Sequence, residues 1–260
     1  MEIVGLIPAA GKAKRILPIP CSKELFPVGL AAKEQADIRI KVASHCLLEK
    51  MKQAGAAKGY IILRKGKWDI PAYWGDGAMI EMPLAYLMMG LPYGVPYTLD
   101  QAYPFVKDSL ILFGFPDILF EPQDAFVQLI HRQHSSGVDI VLGLFTADQP
   151  SLLDMVDIDE QGSVRGIEVK PADSKLHYAW IIAVWTPAFT LYLHDFVARN
   201  TARNIGKNTL KSDLIFQELH IGSIIDSAVQ DGLRVNSVIF PENRFLDIGI
   251  PENLYKAHKF

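Results

Sequence analysis

The stretch VGLIPAAGKAKRILPIPCSKELFPVG, Val4 to Gly29, decides how this chain is read. Its apolar run Val4–Ala9 has the length and composition of a buried strand. The strand ends in small residues, and four cations follow: Lys12, Lys14, Arg15 and Lys23. Ala9, Ala10 and Gly11 are small enough to let backbone N–H groups approach an anion, and the cations beyond them could hold phosphate charge. Arginine offers planar, bidentate donors to phosphate, whereas lysine offers a mobile point charge. Most charge clusters are solvated loops, but position at a strand end favours phosphate binding here. The stretch matches neither GxxxxGK[ST] nor GxGxxG, so it is not a P-loop or a dinucleotide fingerprint.

Outward from this loop, short apolar runs alternate with helical patterns. Ser44–Ala54 reads as a helix with Leu47, Leu48 and Met51 on one face, Ser44 as its cap and Gly55 as its end. Further strands are expected at Tyr60–Leu63, Leu110–Phe115, Val138–Phe145, Tyr178–Trp185 and Val235–Phe240. Helices are expected over Pro122–Ser135, from Pro187 to Val197, and over Pro251–His258. Strands separated by helices imply βαβ units, hence an α/β fold with a mostly parallel sheet flanked by helices. Ala147–Val169 is polar and turn-rich and reads as a local β excursion from that sheet. Ligands of open α/β sheets bind beyond the C-terminal ends of the strands, which singles out Ala9–Gly11 and Phe115–Asp117.

The chain has 260 residues, half of them hydrophobic, which suits one domain over 1–260. A net charge of −3 argues against nucleic acid and anionic membranes as general partners. Two cysteines, Cys21 and Cys46, form no disulfide framework and no metal-spaced set. With no signal peptide and no apolar stretch of about 18 residues, a cytoplasmic protein is expected.

The opening stretch resembles the signature of sugar-1-phosphate nucleotidyltransferases, roughly (A)GGxGTRLxPLTxxxPKxLxPV. Gly11, Arg15, Pro18, Lys23, Leu25, Pro27 and Val28 fall on it, with two residues fewer between Pro18 and Lys23. SKELFPV is close to the SKQLLPV form of glucose-1-phosphate thymidylyltransferases. Ala13 replaces the second glycine and Lys14 the Thr/Ser. Four more segments follow in order. Tyr73–Ala102 resembles GDGxxxGxxxxYxxQxxPxGxAxA through Gly75, Asp76, Gly77, Tyr86, Pro92 and Gly94, with Met89 at the base-reading glutamine. ILFGFPDILF resembles xxxGDxxF and keeps Asp117. GSVRGIEVKP resembles GxVxxixEKP and keeps Lys170 and Pro171; Val169 takes the glutamate position and Glu168 lies one residue early. RFLDIGIPENLYKA resembles xWxDxGTPexLxxA and supplies Asp247.

The resemblance implies a Rossmann-like fold of the nucleotide-diphospho-sugar transferase type. It implies an enzyme that makes an NDP-sugar and pyrophosphate from a nucleoside triphosphate, dTTP or UTP, and a sugar 1-phosphate. Arg15, Lys23 and Asp117 would be catalytic. Ala9, Ala10, Gly11, Lys12, Lys14, Met89 and Gly94 would bind nucleotide, and Lys170 and Glu168 the sugar phosphate. Asp117 and Asp247 would hold Mg²⁺. The departures at Ala13, Lys14, Met89 and Val169 leave two alternatives open: a non-catalytic homologue that binds nucleotide or sugar phosphate, or transfer to a non-sugar phosphate. A homo-oligomer is compatible with every one of these readings.

Overall fold

The computed structural model describes residues 1–32, 38–90, 94–207, 218–242 and 244–260. Its strands are β1 (Ile3–Pro8), β2 (Pro27–Ala32), β3 (Ile38–Val42), β4 (Lys58–Arg64), β5 (Leu84–Met89), β6 (Leu110–Gly114) and β7 (Ile118–Phe120), followed by β8 (Ile140–Thr146), β9 (Asp154–Ile158), β10 (Val164–Val169), β11 (Tyr178–Trp185), β12 (Val235–Phe240) and β13 (Phe245–Asp247). The helices are α1 (Ala43–Gln53), α2 (Asp69–Trp74), α3 (Val95–Asp100), α4 (Tyr103–Val106), α5 (Ala125–Ser136), α6 (Pro187–Lys207), α7 (Ile221–Gln230) and α8 (Pro251–Lys256).

The α/β expectation holds, but the sheet is mixed. The central strands β6, β1, β4 and β5 run parallel, and β8 pairs in parallel with β12. Strand β11 runs antiparallel to both β6 and β8 and joins the two groups. The expected excursion over Ala147–Val169 is a β9–β10 hairpin, and it extends the main sheet through an Ala179–Met155 pairing rather than leaving it. One edge of β11 is therefore shared. Ala179 meets β9 and Ile182–Trp185 meet β6, so Trp180 and Ile181 sit at a fork between two strands.

Alternation along β1 sends Val4 and Leu6 into one core and Ile7 into the other, so the sheet is covered on both faces. Leu47, Leu48 and Met51 of α1 are fully buried, as their spacing predicts. Ser44 is not the cap. It lies within the first turn and its hydroxyl accepts a hydrogen bond from the Trp74 indole at 3.1 Å. The helix is capped instead by the His45 ring, whose Nδ1 accepts the Val42 N–H at 3.0 Å. Among the described residues no helix is long and apolar enough to cross a membrane.

Candidate active site

The strand ends on one side of the sheet open into a cleft of about 670 Å³. One end is built from the loop after β1, the turn before β7, and the segment after β13; the other is built from β9, the end of β10 and the start of α7.

Two aspartates from distant parts of the chain converge at the first end. Strands β7 and β13 pair antiparallel with Asp247 opposite Ile118, and the Ile248 N–H donates to the Asp117 carbonyl at 3.0 Å. That register, rather than any loop, sets the two carboxylates side by side. Gly249 gives a measure of their approach: a Cβ on it would lie 2.9 Å from Asp247 Oδ1, 3.2 Å from Arg15 Nη2 and 3.4 Å from Asp117 Oδ2. Both carboxylates and the guanidinium thus border one small space that a side chain would fill.

Counter-charge is present for each. Lys23 is ion-paired with Asp117, and Arg15 Nη2 lies 3.6 Å from Asp247 Oδ2. Burial alone would lower the Lys23 pKa, and the charge and hydrogen bond of Asp117, together with the Glu24 and Asp247 charges, outweigh it, leaving the ammonium above its ordinary value. Burial, and then the neighbouring Asp117 charge, push the Asp247 carboxyl above the usual range. Arg15 remains 59% exposed, free to reach outward toward an anion. Gly249 N–H holds Asp247 Oδ1 at 2.7 Å.

Of the first loop, Ala10, Gly11, Lys12, Ala13, Lys14 and Arg15 line the cleft. Ala9 does not. It is buried, and its N–H donates to the Ile62 carbonyl at 2.9 Å, which extends the β1–β4 pairing and leaves no donor for an anion. Ala13 stands at the position of the family's second glycine and adopts φ +51°, so the glycine-type backbone is kept at a cost of about 1–2 kcal/mol.

Gly94 lines the cleft and bridges to Leu219, tying the segment before α3 to the wall beside α7. Pro92 lies outside the described residues. Met89 is a correction. It is buried in the second core, its sulfur accepts the Thr98 hydroxyl at 3.1 Å, and it is not part of the cleft lining. Thr98 lines the cleft in front of it. Lys170 lines the opposite wall, but Glu168 is turned away and holds the Ser174 hydroxyl at 2.6 Å outside the lining.

Sequence reading missed a buried ion pair behind the carboxylates. Glu24, within the signature, accepts from Lys67 Nζ at 2.5 Å, with both side chains almost completely enclosed. Burial raises the Glu24 carboxyl and lowers the Lys67 ammonium, each partner's charge opposing the effect on the other. Nothing in the spacing of residues 24 and 67 announces this contact.

The donor set fits a magnesium ion shared with a phosphorylated ligand. Mg²⁺ typically takes one or two carboxylates and completes its shell with water and substrate oxygens. Two carboxylates border the space beside Gly249, and among the described residues no cluster of three or more His, Cys, Asp or Glu could hold a metal by itself.

No family model matches the chain. It is 25% identical over 259 residues to the low-salt glycan biosynthesis nucleotidyltransferase Agl11 of Haloferax volcanii, covering 98% of this chain and 65% of that protein. A glucose-1-phosphate thymidylyltransferase of Mycolicibacterium smegmatis is 24% identical over 98% of this chain and 81% of its own length. Among solved structures, a UDP-glucose pyrophosphorylase complexed with UDP-glucose superposes with a TM-score of 0.77 at 18% identity, covering 100% of this chain and 98% of that one. Along nearly its whole length the chain is similar to sugar nucleotidyltransferases, and it has the nucleotide-diphospho-sugar transferase fold.

Proposed function

We propose that the chain is a sugar-1-phosphate nucleotidyltransferase that uses dTTP or UTP and Mg²⁺. A phosphate oxygen of the acceptor attacks the α-phosphorus of the nucleotide. The bond from that phosphorus to the bridging oxygen of the β-phosphate breaks, and pyrophosphate leaves with the electron pair. The nucleophile is already an anion, so catalysis consists of holding two repelling phosphates in line and stabilising the leaving charge. Arg15 faces the β- and γ-phosphates and stabilises that charge. Lys23 steadies the α-phosphate, and Lys170 holds the acceptor phosphate from the opposite wall. Asp117 and Asp247 would hold the metal, whose role when bound is to neutralise phosphate charge. Lys12 and Lys14 add positive potential at the mouth.

The observation that carries this reading is the convergence of Asp117 and Asp247 on Arg15 and Lys23 in one cleft. The names of the relatives, and the closeness of SKELFPV to the thymidylyltransferase form, favour a pyrimidine nucleotide. The test is pyrophosphate release with ATP, CTP, GTP, UTP and dTTP, each against a panel of sugar 1-phosphates with and without Mg²⁺. Mg²⁺-dependent release with dTTP or UTP is expected. Folded protein that binds nucleotide but releases none would reduce it to a binding homologue, and release only with other phosphorylated acceptors would move it to the non-sugar class.

A further inference from the structure

The carboxylate oxygens that border the space beside Gly249 are engaged already. Asp117 Oδ2 accepts from the Lys23 ammonium, and Asp247 Oδ1 accepts the Gly249 N–H at 2.7 Å. The other oxygen of Asp247 lies 3.6 Å from Arg15 Nη2. Asp117 Oδ2 is also the atom by which that carboxylate faces the space, 3.4 Å from a Cβ placed on Gly249. The oxygen that a shared metal would take from Asp117 is therefore the one that Lys23 holds.

Lys23 and Arg15 differ in how freely they can leave. The Arg15 side chain is mostly exposed, whereas that of Lys23 is only 16% exposed. An ammonium stripped of its partner there is an uncompensated buried charge, which costs far more than an exposed ion pair returns. The chain offers it no second counter-ion among the described residues. Glu24 and Asp247 are the other carboxylates whose charges favour the ammonium. Glu24 is taken by Lys67 at 2.5 Å, and Asp247 by Gly249 and Arg15. In this cluster the cations Lys23, Arg15 and Lys67 balance the carboxylates Asp117, Asp247 and Glu24 one for one. A divalent cation arriving alone adds two charges to a neutral set and must evict the ammonium. A polyphosphate brings its own negative charge and offers the ammonium phosphate oxygens in exchange.

We propose that Lys23 is an internal counter-ion that keeps a divalent metal off Asp117 until a polyphosphate draws the ammonium away, so that metal and nucleotide enter the site together. Lys23 thus has a task besides steadying phosphate: it sets the order in which ligands are admitted. By reciprocity, metal and polyphosphate each raise the other's affinity by one common factor. The inference rests on the proposed function in taking Asp117 and Asp247 as the metal ligands.

The test is metal binding without any nucleotide. Mn²⁺, which shares the oxygen-ligand chemistry of Mg²⁺ and is counted by its paramagnetic resonance, is titrated into nucleotide-free wild type, Lys23→Met and Lys14→Met. Near-ultraviolet circular dichroism checks folding. Lys23→Met removes a cation that a purely catalytic reading would need, yet it should bind Mn²⁺ about tenfold more tightly than the wild type, within the usual range of coupling between two sites. Lys14→Met removes the same charge at the mouth and should move the affinity much less. Adding Asp117→Asn to Lys23→Met should abolish the gain. Should the methionine variant fail to fold, Lys23→Gln is read the same way. Metal affinity unchanged or weakened on loss of Lys23, a gain equalled by Lys14→Met, or a gain that survives Asp117→Asn would overturn the proposal. Protein with the expected affinities but no pyrophosphate release keeps the counter-ion and loses the enzyme. An active enzyme whose metal affinity ignores Lys23 keeps the enzyme and loses the inference.

Discussion

At the end of the cleft built on the first loop, Lys23, Arg15 and Lys67 each face a carboxylate, namely Asp117, Asp247 and Glu24. At the other end, among the described residues, no ion pair reaches Asp154, which lies against the first turn of α7 within the influence of Trp180, Lys170 and His220. The first arrangement compensates each charge with its opposite, two pairs bordering the cleft and Lys67 enclosed behind them. The second holds a carboxylate by hydrogen bonding and a helix terminus rather than by a counter-ion in contact. The difference teaches that one pocket can keep buried carboxylates in two ways, by ion pairing at one end and by backbone and dipole at the other.

Three measurements would break or sharpen this contrast. The largest effect is expected at the buried pair. Lys67→Met strands Glu24 without its partner and should cost about 3–5 kcal/mol in chemical denaturation. A loss below 1 kcal/mol would show that the pair does not stabilise the first end. Next, Asp117→Asn should lower the rate of pyrophosphate release about 10²- to 10³-fold, and because it also strands the buried Lys23 ammonium it should lower the melting temperature, so the rate is read on protein that remains folded. An unchanged rate would remove Asp117 from the chemistry.

The smallest effect is expected at the second end, and with the opposite sign. Burial raises the Asp154 carboxyl, so the folded state binds its proton more tightly than the unfolded chain does. Such a group adds stability below its unfolded pKa and loses it as pH rises through the folded value. At neutral pH Asp154→Asn should therefore be as stable as the wild type or more so, by about 1 kcal/mol at most, and the difference should close near pH 4. Melting curves at both pH values test this; a variant markedly less stable at neutral pH would give Asp154 a structural role.

Much of the fold was legible because it depends on local pattern. The runs at Tyr178–Trp185 and Val235–Phe240 match β11 and β12 end to end: the first is apolar throughout and almost wholly buried, and the second is bounded by Arg234 and Pro241. The mixed character of the sheet was not legible, because the direction of β11 is decided by packing between β6 and β8. The same division runs through the site. Arg15, Lys23, Asp117 and Asp247 stand in local motifs and are brought together as expected. The placement of Asp154 opposite Val169 was missed because cross-strand register leaves no mark in residue spacing. Met89 and Glu168 erred for the converse reason: each occupies or neighbours a motif position, but its side chain is engaged by Thr98 in one case and Ser174 in the other.

The pairing of β7 with β13 also has a temporal meaning. Synthesis runs from the amino end, so Asp117, the basic loop and most of the sheet exist well before Asp247 has been made. On the proposed reading, a nascent chain could hold a nucleotide's phosphates with its lysines and arginine yet lack the second carboxylate, and it would be inert until the strand bearing Asp247 docks. Competence waits for a segment translated well after the loop that it completes.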